Sequence, residues 1–457
     1  MEKNNKLNNR VKTPLVTVYI TNHNYGKYIN KAIKSVLNQS LKNFELIIID
    51  DGSIDNSLKI IDKYKDNKKI TTIFQKNKGL TVSNNLATRL SRGKYIMRLD
   101  ADDWLDSNAL QIMSNYLEQN HKIGLVFPDY FEVDETGNII NLVRRHDFKK
   151  VKLLDKPAHG ACTMIRKECL EKIGGYSERF DRQDGYYLWV KFIQRYGVMN
   201  INLPLFFYRQ HNLSLTKNEE KIIKTRSEII KINSFKKKLQ KKALAVLAVR
   251  GYEINPHNYF LKKLKNKPLG CWTIDTLLKS KKISKVLVTS TDQKILDFLK
   301  KRYKNKILLL KRDLSLGRIN VALDETIKKS LKYAKNKKIN FNYVFQISYK
   351  TPFLKSNDLD SFVYMMEFFK TDEVLGVRVE TDRMYKHNGA SLDLLNESSN
   401  LKLERDEIYR GISGIRLFKK NLNKNKIKKP ILGHYILDQK SSHTINTELD
   451  WKIATSI

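Results

Sequence analysis

Two acidic turns in this chain have the residue types and the spacing to handle a phosphorylated ligand. The first, Asp50-Asp51-Gly52-Ser53, comes straight after the apolar run FELIII, and the second, Asp100-Ala101-Asp102-Asp103, closes the run KYIMRL fifty residues later. An aspartate at the end of a buried strand reaches a base or a ribose, and a glycine beside it allows a turn that brings backbone close to a ligand. Alternate residues of an extended segment point the same way, so Asp100 and Asp102 are expected to face one site. Two carboxylates there suit a hard divalent ion, Mg²⁺ or Mn²⁺, carrying a diphosphate. Either turn by itself reads equally well as turn and cap aspartates; the pair, both at strand ends, is far more specific.

The elements that must position these turns follow from the hydrophobic period. From Leu15, LVTVYITNHN is an apolar β-rich run ending in polar residues, and KYINKAIKSVLNQS puts Ile29, Ala32, Ile33 and Val36 on one helical face. FELIIIDDGS is continuously apolar, as a parallel strand buried on both faces must be. SLKIIDKYK then reads as helix, ITTIFQKN as strand, LTVSNNLATRLS as helix and KYIMRLDADD as strand. Alternation of β and α with polar residues at strand C-termini describes an open sheet that binds ligands at that edge. Residues 217–242 are charged or helix-forming and read as a helical connector. The alternation restarts at Ala243, with strands in ALAVLAVRG, KVLVTSTD, ILLLKRD and NYVFQIS and helices in WTIDTLLKS, ILDFLKKRY and Ala322 to Ala334. The expected fold class is α/β: two open, mostly parallel-sheet nucleotide-binding domains, 14–216 and 243–457. They share the alternation but no motif, so an internal repeat is not implied.

Composition narrows the functional classes. At 457 residues the chain should hold two or three domains, and 41% hydrophobic residues with only eight prolines exclude disorder for most of it. Lys and Arg number 86 against 48 Asp and Glu, a formal charge of +38. The lysine runs at 236–238, 262–267 and 424–429 are scattered and carry no interleaved aromatics or nucleic-acid module. A solvated lysine-rich surface is the plain reading, contact with an anionic membrane the next, and no nucleic-acid partner is expected. The N-terminus lacks the apolar centre of a secretory signal and no run is long enough to span a membrane, so a cytoplasmic location is expected. Cys162, Cys169 and Cys271 show neither a CxxC pair nor metal-site spacing and read as buried small hydrophobes.

Five ordered segments carry a family resemblance: VTVYITNHNYGKYINKAIKSVLNQS, ELIIIDDGSIDNS, GKYIMRLDADDW, IGGYSERFDRQDGYYLW and FFYRQHNLSLT. From about Pro14 to Lys217 the chain resembles the family 2 glycosyltransferases of GT-A fold. The resemblance implies transfer from a nucleotide sugar, usually UDP-linked, with inversion at the anomeric carbon. On that basis Asp51 would contact the base, Asp100 the ribose, Asn22 the donor more generally, and Asp102 the metal bridging the diphosphate. His211 matches a histidine that completes the metal shell in some relatives; read alone it is an ordinary loop or core histidine. Inversion needs a base for the acceptor hydroxyl. Asp184, in RQDGYYLW, is the candidate, although three residues separate it from Leu188 where many relatives have two. Asp181 is the fallback, and a helix N-cap is the plain reading of Asp184. Asn84 stands where many relatives carry an arginine. Trp104 and Trp189 read as packing residues beside the acidic motifs.

From about Ala243 the segments ALAVLAVRG, NKPLGCWTIDTLLKSKKISKVLVTSTDQKI, YVFQISYKTPFL, NGASLDLL and HTINTELDWKIA resemble the acylneuraminate cytidylyltransferases. That implies a second nucleotide-binding domain and, in active members, Mg²⁺-dependent attack of a sugar hydroxyl on the CTP α-phosphate. Arg250, Gly251 and Gln346 are the candidate residues of this second site. The chemistry is thinned. Relatives follow the first strand with a Gly-rich loop bearing Ser-Lys-Arg, whereas the loop after Arg250 here has one glycine and gains Glu253, which is expected to repel phosphate. Thr444 and Asn446 occupy the places of two metal-binding aspartates, and a hydroxyl and an amide lack the charge that holds Mg²⁺ on a triphosphate. Glu448 and Asp450 follow, read as structural residues of a helix start.

The expected function is a metal-dependent, inverting glycosyltransferase of surface-polysaccharide or lipid-linked glycan assembly, fused to a degenerate cytidylyltransferase-like domain. Its partners would be a nucleotide-sugar donor, a glycan or lipid-linked acceptor, the inner face of the cell membrane and a second copy of itself through the C-terminal half. One alternative is a bifunctional enzyme that also makes a CMP-activated acidic sugar. A second is a non-enzymatic basic scaffold for membrane or RNA, which gains nothing from clustered carboxylates.

Overall fold

A computed structural model describes residues 13–144, 153–155, 157–158, 160–180, 184–210, 225–226, 228–233, 242–255, 258–318, 321–380, 382–395, 408–421 and 430–457. The chain divides into two compact units, Met1–Arg226 and Ser227–Ile457. Of the expected connector, residues 225–226 and 228–233 are helical, and Ile229 and Ile230 are buried.

In the first unit the strands are β1 Val16–Asn22, β2 Phe44–Asp50, β3 Ile70–Phe74, β4 Tyr95–Asp100, β5 Trp104–Leu105, β6 Ile123–Val133, β7 Ile139–Val143, β8 Met164–Arg166 and β9 Gly197–Arg209. They form one sheet in the order β3-β2-β1-β4-β8-β6-β9-β5, with β7 beside β6. The half that carries the acidic turns, β3-β2-β1-β4, is parallel throughout. Beyond β4 the sheet becomes mixed, because β8 runs antiparallel to both β4 and β6. The apolar runs fill both faces. Leu46 and Ile48 of β2 pack with Ile29, Ala32, Ile33 and Val36 of the helix Ile29–Leu37, while Ile47 and Ile49 pack on the other face with Ala87, Trp189 and Phe192. That two-sided burial is what a continuous apolar strand requires.

The second unit repeats the design with different edges. Its strands are β10 Ala243–Val249, β11 Lys263–Leu264, β12 Lys267–Pro268, β13 Ile283–Ser290, β14 Ile307–Lys311, β15 Tyr343–Ile347, β16 Glu373–Glu380, β17 Tyr385–His387, β18 Leu392–Leu394, β19 Ile408–Lys419 and β20 Leu432–Ile436. The main sheet runs β14-β13-β10-β15-β19-β16-β20, and β11-β12 and β17-β18 are separate two-stranded ribbons. The four strands around β10 are parallel, and β19 enters antiparallel between β15 and β16. Leu244 and Val246 of β10 pack with Leu287, Ile327 and Val344 in the core.

Both sheets reverse strand order at their first strand. In the first unit β2 and β3 lie to one side of β1 and β4 to the other; in the second, β13 and β14 lie to one side of β10 and β15 to the other. In open parallel sheets such a reversal leaves a crevice at the carboxyl ends of the strands, where ligands bind.

Candidate active site

The parallel register brings the sequence-distant polar residues of the first unit together. Asn22 pairs in register with Asp50, and Thr21 with Asp100, so β1, β2 and β4 deliver Asn22, Asp50 and Asp100 to one edge. Asp50 is buried and holds the corner: its Oδ2 accepts from Asn22 Nδ2 at 2.7 Å and Ser53 Oγ at 2.7 Å, and its Oδ1 from the Ser53 amide at 2.9 Å. The buried Asn22 Oδ1 has no hydrogen-bond partner, which leaves one acceptor at this edge for a ligand's donor.

Asp51 is buried too, and both of its oxygens are engaged. Oδ1 accepts from Gln75 Nε2 at 2.7 Å and the Lys78 amide at 2.8 Å, and Oδ2 from the Gly79 amide at 2.8 Å. The aspartate therefore secures the segment 75–79 over the turn. Gly52 sits at φ 79°, and a Cβ there would lie 2.8 Å from the Asn77 amide nitrogen. The glycine is required, and the backbone that approaches it closely is the protein's own.

At the end of β4, Asp100 is clamped. Arg98 lies two residues earlier on the same strand face and donates from Nε to Oδ1 at 2.6 Å and from its NH2 to Oδ2 at 2.9 Å, a two-pronged pair with both side chains mostly buried. Asp103 is buried, takes the Arg209 amide on Oδ1 at 2.9 Å and has an unpartnered Oδ2. Burial first, then the charges of Asp102 and Asp100, hold its carboxyl well above the usual range. Arg209, at the end of β9, also donates from Nε to the Asp102 carbonyl at 3.0 Å, so one arginine holds both Asp102 and Asp103. Burial, reinforced by Asp102, Asp100 and Asp103, pushes the Tyr25 phenol up to about 12, and Tyr208 is raised for the same reasons.

Those shifts follow first from burial and then from the neighbouring carboxylates of the turn. Carboxylate oxygens are the donor type a hard divalent cation takes. Among the described residues no group of three or more His, Cys, Asp or Glu is arranged as a metal shell. His211 and Asp181 lie outside the described residues. Asp184 opens the helix Asp184–Phe192, and its side chain lies outside them as well. Trp104 stacks on Phe207 with centroids 4.9 Å apart beneath Lys31, and buried Trp189 donates to the Leu154 carbonyl at 2.8 Å; both are packing residues.

In the second unit, Arg250 and Gln346 line one cavity of about 240 Å³ at the carboxyl ends of β10 and β15. Gly251 does not line it; its amide donates to Thr291 Oγ1 at 3.0 Å, and a Cβ there would meet Asp292 at 2.7 Å. Glu253 corrects a sequence expectation. It is exposed and absent from the cavity wall, so it does not oppose an anion there. Thr444 and Asn446 do line the wall. Asp450 closes a capping box with Thr447, and Glu448 accepts from Tyr259 at 3.0 Å, the structural roles expected of both.

Arg98, Tyr25, Arg209, Arg312 and Lys350 are site residues that sequence reasoning missed. Only Arg98 carried a signal, its two-residue spacing from Asp100 on an extended strand. Among the described residues no helix is long and apolar enough to cross a membrane.

Comparison with known proteins follows the same division. The chain is 37% identical over 131 residues to a chondroitin synthase of Escherichia coli, covering 28% of this chain and 19% of the synthase. It is 33% identical over 189 residues to an uncharacterized glycosyltransferase of Methanocaldococcus jannaschii, covering 39% and 65%. It thus spans less than two thirds of the length of either relative. The crystal structure of S. aureus TarS 1-349 in complex with UDP-GlcNAc aligns with a TM-score of 0.40 at 14% identity, over 48% of this chain and 65% of that one. Residues 17–174 match the family model for glycosyl transferase family 2, a span that ends before Asp184 and His211. Residues 258–442 match the model for cytidylyltransferase, a span that begins after Arg250 and ends before Thr444. The chain is therefore similar to glycosyl transferase family 2 over residues 17–174 and to cytidylyltransferase over residues 258–442.

Proposed function

We propose that the first unit transfers a sugar, with inversion, from a nucleotide-sugar donor to a hydroxyl of a glycan or lipid-linked acceptor in surface-polysaccharide assembly. The observation that carries this reading is the row Asn22, Asp50 and Asp100 at the carboxyl ends of adjacent parallel strands, followed by the acidic turn, within a region that matches glycosyl transferase family 2. In this reading the donor, UDP-linked, lies in the crevice between β1 and β4. Asp51 meets its base, Asp100 its ribose and Asn22 the donor more generally. Asp184 accepts the proton of the acceptor hydroxyl as that oxygen bonds to the anomeric carbon and the nucleoside diphosphate departs. Asp102, with His211 as a second ligand, would hold a divalent cation, which would offset the charge of the departing diphosphate. Arg209 keeps the turn in place for it.

We assign no second catalytic reaction to the other half. Thr444 and Asn446 line its cavity at the places where the resemblance calls for two aspartates, which favours a degenerate cytidylyltransferase-like domain over a bifunctional enzyme. The charge of +38 favours a cytoplasmic protein held against anionic lipid, where a lipid-linked acceptor is found, and homo-oligomer formation would run through the second unit. The test is a hydrolysis screen of purified protein against UDP-, GDP- and CMP-sugars with Mn²⁺ or Mg²⁺. Turnover of one donor is expected. Turnover of none, with release of diphosphate from CTP and an acidic sugar instead, would overturn the reading.

A further inference from the structure

The hairpin of β6 and β7 leaves the first unit with an edge that is apolar where edge strands are ordinarily charged. β7 pairs with β6 on one side, and among the described residues no strand pairs with its other side. Its sequence is IINLV, and Ile139, Ile140 and Leu142 are 58%, 48% and 39% exposed. Among the described residues no other run of four holds three exposed large apolar side chains. Val143 packs on the core, so the strand is anchored at one end while these three side chains stand in water. A slip in register between Glu132 and Val133 inserts Ile140 as an extra residue, which breaks the alternation and leaves both isoleucines outside. Natural sheets blunt such edges with charge or proline, and a clustered apolar exposure marks a contact surface.

Charge decides what meets this surface. β7 runs into the exposed Arg144, and the sequence continues with Arg145, Lys149, Lys150 and Lys152 against the single acid Asp147. A second copy would bring the same formal charge of +38, which opposes association. Strand addition by another chain needs free edge amides, and the Leu142 amide already donates to Asn141 Oδ1 at 2.8 Å. Aliphatic side chains beside a basic run suit the headgroup layer of an anionic bilayer, where apolar burial and attraction to lipid phosphates add.

The hairpin is rigid and tied to the acidic turn. Asp134 Oδ1 accepts from the amides of Thr136, Gly137 and Asn138 at 2.9, 2.7 and 2.9 Å. Arg209 donates from Nη1 to the Asp134 and Glu135 carbonyls at 3.3 and 2.6 Å and from Nε to the Asp102 carbonyl, so one guanidinium joins the hairpin tip to the acidic turn. We propose that β7 is the strand on which the first unit rests against an anionic lipid surface, with Ile139, Ile140 and Leu142 in the headgroup layer and Arg144 at the lipid phosphates. This placement rests on the reading of a protein held against anionic lipid, and it assigns the contact to one strand rather than to the overall charge. A lipid-linked acceptor would then present its polar end beside the acidic turn, across the Arg209 guanidinium.

The experiment is sedimentation of the full chain with vesicles of phosphatidylcholine alone and of phosphatidylcholine mixed with an equal part of phosphatidylglycerol. Binding to the mixed vesicles is expected. The triple variant Ile139→Thr, Ile140→Thr, Leu142→Thr keeps β-favouring residues on an exposed strand, and it should bind about tenfold or more weakly with the melting transition in place. Leu392→Thr, at a side chain 62% exposed on β18, should change binding less than about twofold. A bimane fluorophore on Ile140→Cys, the native Cys162, Cys169 and Cys271 being buried, should shift to the blue on the mixed vesicles and be quenched by brominated acyl chains. Unaltered binding by the triple variant, or bimane emission that does not move, would overturn the assignment of β7 and leave the lipid reading standing. No vesicle binding by the unmodified chain would overturn both. A concentration-dependent dimer that the triple variant abolishes would give the strand to a second copy and overturn the proposal as well.

Discussion

Replacing Arg98 by glutamine tests the most specific contact in the first unit. The guanidinium holds both oxygens of Asp100, at 2.6 and 2.9 Å, with side-chain exposures of 11% and 23%. Removing it leaves a mostly buried carboxylate that has lost two charge-assisted hydrogen bonds. A fully buried pair broken on one side costs about 3–5 kcal/mol, and one hydrogen bond to a charged group about 1.5–3 kcal/mol. With a fifth of Asp100 still in water, about 2–3 kcal/mol is the expected loss for Arg98→Gln, or roughly 4–12 °C in the transition of a unit this size. Urea unfolding followed by tryptophan fluorescence reads it, because Trp104 and Trp189 both belong to this unit. The cycle completed by Asp100→Asn and the double variant isolates the pair, and the double variant should recover part of the loss, since no charge is then stranded. The same samples titrated with UDP report whether Asp100, once unclamped, still meets a donor. A cost below about 0.5 kcal/mol with no coupling in the cycle would refute the reasoning, because it would place the pair in the class of exposed ion pairs.

Three further outcomes are expected. Asp102→Asn should abolish the Mn²⁺ dependence of UDP binding while the protein stays folded, since charge is removed at nearly constant volume; calorimetric titration with and without Mn²⁺ measures it. Asp184→Asn should lower the transfer rate about 10²-fold or more with donor affinity kept within about threefold, read from steady-state kinetics on the donor the screen identifies; wild-type turnover would move the base to another residue. Vesicle sedimentation across a salt series should show binding to anionic lipid that falls as ionic strength passes about 0.1–0.2 M, and equal binding to neutral vesicles would count against the electrostatic account.

The parts of this molecule that were legible in the sequence are those encoded by local pattern. FELIIID announces a strand buried on both faces, and the polar residues that end β1, β2 and β4 share one edge of the sheet. The three-residue β8 is too short to show a period, yet it turns the sheet antiparallel beyond β4. Partners were hidden for a different reason. The donors to Asp51 come from 24 to 28 residues away, the amide beneath Lys350 from 96 residues away, and no spacing rule reaches across such separations. Glu253 was misjudged because its place in the loop says nothing of which way the loop turns it, and it faces solvent.

The occupied carboxylate of Asp51 changes what donor entry means. Its Oδ1 already accepts from Gln75 and Lys78, so a base that hydrogen-bonds there would take the place of one of them, whereas Oδ2, which accepts from Gly79 alone, keeps one site open. Recognition through Oδ1 would be a swap of equivalent bonds, and it would loosen the segment 75–79 as the ligand is gripped. Ligand binding would then speed amide exchange at Lys78 and Gly79 even as it slows exchange around β1 and β4, so that the protein loosens one flank of its crevice in order to close on the other.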